Sequence, residues 1–317
     1  MWDWIERLHG WRQRPRYTTS PGAPNQPGRI PVIELRDGDS LWQGHADYLR
    51  RLGDRYYEFH DGRKDRTKPA PVVMLLHGRG GNAASARWNF QFEKVADERG
   101  WVVVYPAGQP LELGIEWQWY DGIEWQWYDR NLGWNDGAGK DDPPLDDVKF
   151  LTDVLWDFNE RYMRFTKLCV GGHSNGSAMS FRYAMTTSGF KADCIAGNAG
   201  AIAPEAGSPR IPIFYSHATG DKLVNYKQCM EVIFKWIEHN GAERYASNFE
   251  TVGNCIEYRY DDKHSSPSCP VVRWSISPGA HSVPGGEIGP WEKSWGEPVN
   301  RDVSFAEEVS KFFARFV

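Results

Sequence analysis

No apolar run in the 317-residue sequence approaches the roughly 20 residues needed to span a bilayer, so no membrane span is expected. No long run of like charge is present either. The 37 basic and 42 acidic side chains leave a net charge of −5, without the basic face that nucleic-acid binding requires. Cysteine is scarce at five, and an odd number excludes a fully paired disulfide framework. The opening stretch, MWDWIERLHGWRQRPRY, lacks the apolar core of a secretory signal and mixes acids and arginines among its tryptophans. These absences leave a globular chain whose compartment is unknown.

Aromatic residues, by contrast, are plentiful at 14%, with 16 tryptophans. In a hydrophilic chain that excess suggests a surface for sugar rings, aryl groups or polymer, beyond what core packing absorbs. TTSPGAPNQPG, at 18–28, is rich in Pro, Gly and Ser and reads as a linker. It sets off an N-terminal arm, 1–29, from a single domain, 30–317. Tryptophans 2, 4 and 11 of the arm form a stripe that docks on the body or on a second copy, which would make a homodimer.

Within the domain, short apolar or β-branched runs at 31–35, 56–60, 72–77, 101–105, 167–171, 194–199, 211–217 and 271–276 read as strands. Helical patterns lie between and after them at 85–98, 147–164, 175–187, 226–240 and 303–316. Such alternation predicts an α/β fold with a mostly parallel twisted sheet and helices on both faces. Runs such as VVMLL fit strands buried on both sides.

The most informative stretch is LCVGGHSNGSAMSFRYA. An apolar strand ends, Gly172-His173-Ser174-Asn175-Gly176 follows, and a helix begins at once. This is G-x-S-x-G in the strand-turn-helix setting that lifts a serine hydroxyl above a sheet. The turn is so sharp that the residues two before and two after the serine must lack side chains. It also aims the positive end of the helix at the reacting oxygen. A serine needs a base, and the base needs an acid to orient it. Asp221 follows the strand at 211–217 and His281 follows the strand at 271–276, which gives the order Ser, Asp, His at the carboxyl ends of successive strands. Upstream, His77-Gly78-Arg79-Gly80-Gly81 ends another strand with little side-chain bulk, so a backbone N–H there can face an oxyanion alongside that of Asn175. His77 reads as a structural residue of that loop. The loop lacks the Gly-Lys-Ser/Thr ending of a phosphate cradle.

These residues resemble α/β-hydrolase-fold esterases of the polyhydroxybutyrate depolymerase and feruloyl or acetylxylan esterase group. The marks are LLHGRGGN, VVYPAG, LGWND, LDDVKFLTDVL, VGGHSNGSAMSFRYA, SHATGDKLVNY and SPGAHSVPGG, and they cover about 56–317. The resemblance implies the α/β-hydrolase fold and carboxylic-ester hydrolysis through an acyl-enzyme, on hydroxycinnamoyl or acetyl esters of polysaccharide or on polyester oligomers. It implies catalytic roles for Ser174, Asp221 and His281, an oxyanion hole from the backbone of Arg79 and Asn175, and no metal or organic cofactor. It also favours a disulfide between Cys255 and Cys269, which flank a polar loop. Members are mostly secreted. This chain departs from the group's pattern at Val283, where members carry tryptophan beside the base, and at Ser177, where they carry glycine. Val283 is therefore expected in a pocket wall. An acyltransferase would use the same triad, and a binding protein could keep the fold without the chemistry.

Trp134, Trp291 and Trp295 fall in loops after strands and are expected at the rim of the site. GIEWQWYDGIEWQWYD, at 114–129, is an octapeptide written twice and carries four tryptophans. Its position between the strand ending near 105 and the next helix puts it at the sheet edge that carries the triad. Asp121-Gly122 at the junction is a favoured hairpin turn. The expectation is a projecting flap that presents Trp119 on one face and Trp127 on the other to substrate.

Overall fold

A computed structural model of the chain describes residues 33–34, 48–53, 55–110, 132–137, 146–261, 268–288 and 296–317. The N-terminal arm at 1–29, the doubled octapeptide with Trp119 and Trp127, and Trp291 and Trp295 lie outside the described residues.

The strands are β1 (Ile33–Glu34), β2 (Tyr48–Leu52), β3 (Arg55–Asp61), β4 (Ala70–Leu76), β5 (Val102–Pro106), β6 (Gln109–Pro110), β7 (Leu132–Gly133), β8 (Phe165–His173), β9 (Cys194–Asn198), β10 (Ile213–Ala218), β11 (Asn248–Val252), β12 (Cys255–Tyr260) and β13 (Val271–Ile276). The helices are α1 (Ala83–Phe90), α2 (Glu93–Arg99), α3 (Asp147–Arg161), α4 (Asn175–Thr186), α5 (Tyr226–His239) and α6 (Phe305–Phe313). Among the described residues, eleven strands form one sheet in the order β1-β2-β3-β5-β4-β8-β9-β10-β13-β12-β11. The six from β5 to β13 are parallel, and the outer strands on both sides are antiparallel. This is the α/β-hydrolase fold.

The centre forms as it does because its strands are apolar on both faces. Along β4, Val73 and Leu75 join the core beneath α1, α2 and α6, while Val72, Met74 and Leu76 join the core beneath α3 and α4. The same alternation in β10 sends Phe214 to the first face and Ile213 and Tyr215 to α5 on the second. The outer strands carry charge, which is why sequence patterning misses β2, β11 and β12. In β11 the side chains are mostly exposed, and in β2 the buried Arg50 is held by Asp157 on α3 (Nη2–Oδ1 2.9 Å).

The helix expected at 85–98 is two helices. Phe90 and Phe92 both enter the core beneath α6. Two residues apart, they would point to opposite sides of one continuous helix. A left-handed Gln91 (φ 50°) breaks the helix and lets both reach inward.

The disulfide expected between Cys255 and Cys269 is not formed. Hairpin register explains the correction. Cys255 pairs with Ile276, at the far end of β13, whereas Cys269 stands two residues before Val271, whose partner is Tyr260. Five residues of strand separate the two ends of β12, about 17 Å, and a disulfide tolerates about 7 Å between Cα atoms.

Beyond β5 the chain enters a two-stranded ribbon. Gln109 pairs with Gly133 and Pro110 with Leu132, so the insertion expected after residue 105 leaves and returns at adjacent positions.

Candidate active site

The turn after β8 is built by what is missing from it. A Cβ on Gly172 would lie 2.3 Å from the Gly176 backbone, and one on Gly176 would lie 2.3 Å from His77 O and 2.4 Å from Leu76 O. Helix α4 can therefore press its first turn against β8 and β4 only with glycine at both places. Between them Ser174 takes φ 55°, ψ −124°, a conformation that residues with a side chain rarely adopt. Its own N–H is engaged by Asn198 O (2.8 Å), and its carbonyl accepts the first helical bond from Ala178 N (3.0 Å). Donors for an incoming anion thus begin at Asn175, in the first turn of α4.

Ser177, the departure from glycine, is wholly buried and donates its hydroxyl to Gly200 O (2.5 Å). A Cβ on Gly200 would meet Ser174 O at 2.2 Å. The extra hydroxyl therefore secures the loop after β9 against the turn.

Asp221 and His281 meet at the ends of β10 and β13. Asp221 Oδ2 accepts from His281 Nδ1 (2.7 Å), and Oδ1 accepts from Leu223 N (2.8 Å) and Val224 N (2.9 Å). One oxygen thus closes a turn while the other orients the imidazole, and the capping of α5 falls to Asn225 instead. The His281 ring lies 4.6 Å from that of His173, the residue preceding Ser174. The three residues selected from sequence are thereby gathered at one edge of the sheet.

Sequence reasoning missed a fourth member. His217, fully buried, also hydrogen-bonds Asp221 Oδ2 through Nε2 (3.0 Å), and its Nδ1 meets Tyr215 OH (3.0 Å). Its only signal was a histidine four residues before the acid, on the strand that delivers it. Burial raises the Asp221 carboxyl's pKa, but the hydrogen bonds from His217 and His281 outweigh it and hold the group well below the usual carboxylate range. Burial, reinforced by His281, pushes His173 down to about 3 and keeps it neutral. Its Nδ1 donates to Asn198 Oδ1 (2.6 Å), an amide whose other end donates to Ser216.

The loop after β4 lies over the turn. A Cβ on Gly78 would come 3.4 Å from Ser174 Cβ. His77 has the structural part expected of it: Nδ1 donates to Gly78 O and Nε2 accepts from Gly108 N (both 2.8 Å), with burial pushing its pKa down to about 4. Gly80 N donates to Leu132 O (2.7 Å) and Gly81 N to Gly78 O (3.0 Å), so neither faces the site. Arg79 is exposed at the crest of this loop.

Two expected substrate contacts are corrected. Trp134 is fully buried, its indole N–H donating to His77 O (2.9 Å), so it belongs to the support beneath the loop and not to a rim. Val283 is packed in the core with Phe305 and Ala306, not in an open pocket wall. Among the described residues, no group of three or more His, Cys, Asp or Glu is arranged to hold a metal, and no helix is long and apolar enough to cross a membrane.

A family model described as Phospholipase/Carboxylesterase matches residues 63–251, more than half of the chain. The matched span includes Ser174 and Asp221 and ends before His281. Among solved structures, the acetyl xylan esterase from Aspergillus awamori aligns at 12% identity over 76% of this chain and 93% of that one, with a TM-score of 0.50. The Bacillus cereus carboxylesterase aligns at 16% identity over 84% and 96%, with a TM-score of 0.45. Such identities speak to the fold alone. No curated protein matches the sequence.

Proposed function

The chain belongs to the phospholipase/carboxylesterase family, and from that premise we propose that it is a serine esterase working through an acyl-enzyme. One observation carries the reading: a buried Asp221–His281 pair, 2.7 Å apart, has its imidazole 4.6 Å from that of His173, the neighbour of a serine held in left-handed backbone at a strand-to-helix turn. His281 Nε2 takes the proton of Ser174 Oγ as that oxygen attacks the ester carbonyl. The imidazolium then returns the proton to the departing alcohol. Asp221 keeps Nδ1 protonated throughout and stabilises the positive ring, a part suited to a carboxyl held ionised well below the usual range. The oxyanion is received by the backbone N–H groups of Asn175 and Arg79, each such donor contributing roughly 3 to 4 kcal/mol to the barrier reduction. Water attacks the acyl-enzyme with His281 again as base, and the proton passes back to Ser174.

For the acyl group, the motifs set out from the sequence favour hydroxycinnamoyl or acetyl esters of polysaccharide, or polyester oligomers. Methyl ferulate, acetylated xylan and polyester oligomers, compared at equal enzyme concentration, separate these classes. The reaction class is tested by p-nitrophenyl acetate hydrolysis with wild type and Ser174→Ala. A loss of at least about 10⁴-fold is expected, and equal rates would remove the assignment.

A further inference from the structure

The two proposed oxyanion donors ride on different elements, Arg79 on the loop after β4 and Asn175 at the start of α4. A hole made of two donors works only if their separation is fixed before substrate arrives, and misplacement by about 1 Å costs on the order of 100-fold in rate. Something must hold the loop to the helix. Segment 132–136, which takes no part in the reaction scheme, is bonded to both.

On the loop side, Leu132 O accepts from Gly80 N (2.7 Å), and Leu132 forms an antiparallel bridge with Gly81. The Trp134 indole N–H donates to His77 O (2.9 Å), and its ring lies 4.8 Å from the imidazole. On the helix side, the Asn175 carboxamide is gripped at both ends. Its Oδ1 accepts from Trp134 N (2.8 Å), while Nδ2 donates to Trp134 O (3.1 Å) and to Asp136 Oδ2 (2.8 Å). The segment is itself anchored, because Asn135 N donates to Asp147 Oδ2 (2.6 Å) and Asp147 is wholly buried with Arg55 and Gln109 bonded to it. An amide making three directed bonds has one orientation, and its backbone follows it.

We propose that Asp136 and the side chain of Asn175 are positioning residues that set the Asn175 N–H against the loop donor, with 132–136 as the brace between them. The proposal rests on the oxyanion-hole reading above. Neither side chain touches the reacting atoms; they act through the peptide they hold.

The test measures kcat on p-nitrophenyl acetate per active site titrated with a fluorophosphonate. Asp136→Ala is expected to lower kcat per titrated site about 10- to 100-fold with KM within about twofold, and Asn175→Ala at least as much. Asp136→Asn, which can still turn an oxygen toward Asn175 Nδ2, should recover most of the loss. Affinity for an alkyl trifluoromethyl ketone, whose oxyanion adduct occupies the hole, should fall by the same factor as kcat/KM. A role confined to folding would reduce the titratable fraction and the melting temperature while leaving kcat per site unchanged. That result in both alanine variants, with wild type labelled normally, overturns the positioning role and leaves the esterase reading standing. Failure of wild type to label at Ser174 overturns both.

Discussion

Ser174 stands at φ 55°, ψ −124°, where a Cβ is crowded by its own backbone. Strain of this kind costs about 1 to 3 kcal/mol and is borne by the packing of α4 on β8 and β4. Ser174→Gly removes the Cβ and with it the strain. Against this, glycine loses about 0.5 to 1 kcal/mol more on folding through chain entropy. With strain at the middle of its range, the net expectation is a gain of about 1 to 1.5 kcal/mol together with complete loss of esterase activity. With an unfolding entropy of about 2 cal/mol/K per residue over 317 residues, each kcal/mol moves the melting temperature by about 1.5 °C. A rise of about 1.5 to 2 °C should therefore appear in calorimetry, with a higher urea midpoint at unchanged slope. Ser174→Ala is the control, because it is equally inactive but keeps the Cβ. If the glycine variant is no more stable than the alanine variant, the turn is not strained and the argument from backbone geometry fails.

Acidification should destabilise the fold well before carboxylates titrate. His77 and His173 are held down to about 4 and about 3 by burial, whereas an unfolded histidine titrates near 6.5. Below about pH 6.5 the unfolded chain takes up two protons that the folded chain refuses, so stability falls with pH. The loss should be roughly 3 to 4 kcal/mol between pH 7 and pH 5, read from urea midpoints. Asp221, held below the carboxylate range, stabilises the fold fully above about pH 4 and adds a further loss below it. Equal stability at pH 7 and pH 5 would show that the two histidines are not buried neutral. Gly176→Ala forces a Cβ to within 2.4 Å of the Leu76 and His77 carbonyls, so it should cost at least about 2 to 3 kcal/mol of stability by thermal melting. Dithiothreitol should leave the melting temperature unchanged, and thiol titration of the unfolded, unreduced chain should count all five cysteines.

The proposed trio could be picked from sequence because topology does most of the selecting. In a parallel sheet the carboxyl ends of consecutive strands converge, so Ser174, Asp221 and His281 needed only to follow three apolar runs in order. Central strands such as β4 and β5 are legible for the same reason: burial on both faces writes itself as unbroken valine and leucine. Contacts set by register and by side-chain reach are different. Nothing in the spacing of Cys255 and Cys269 reveals that they stand at opposite ends of one hairpin. Trp134 occupies a loop position shared by rim residues, and only its indole bond to His77 O shows that it faces inward. Arg50 gives β2 no apolar pattern to read, and its buried partner Asp157 lies on a helix more than 100 residues away. His217 looked like part of an apolar strand because the carboxylate that makes it intelligible was already assigned to His281.

Gln109 and Pro110 are bound across to Gly133 and Leu132, so positions far apart in the chain are fixed neighbours. For inheritance, such a junction acts as a cassette site. Codons added between two residues that already clasp each other alter neither the order of the eleven strands nor the phase of any side chain upstream or downstream. A slip that copied eight residues there could be transmitted in a single event without a compensating change elsewhere. The same junction gives a protein engineer a place to exchange one inserted sequence for another without disturbing the strand order.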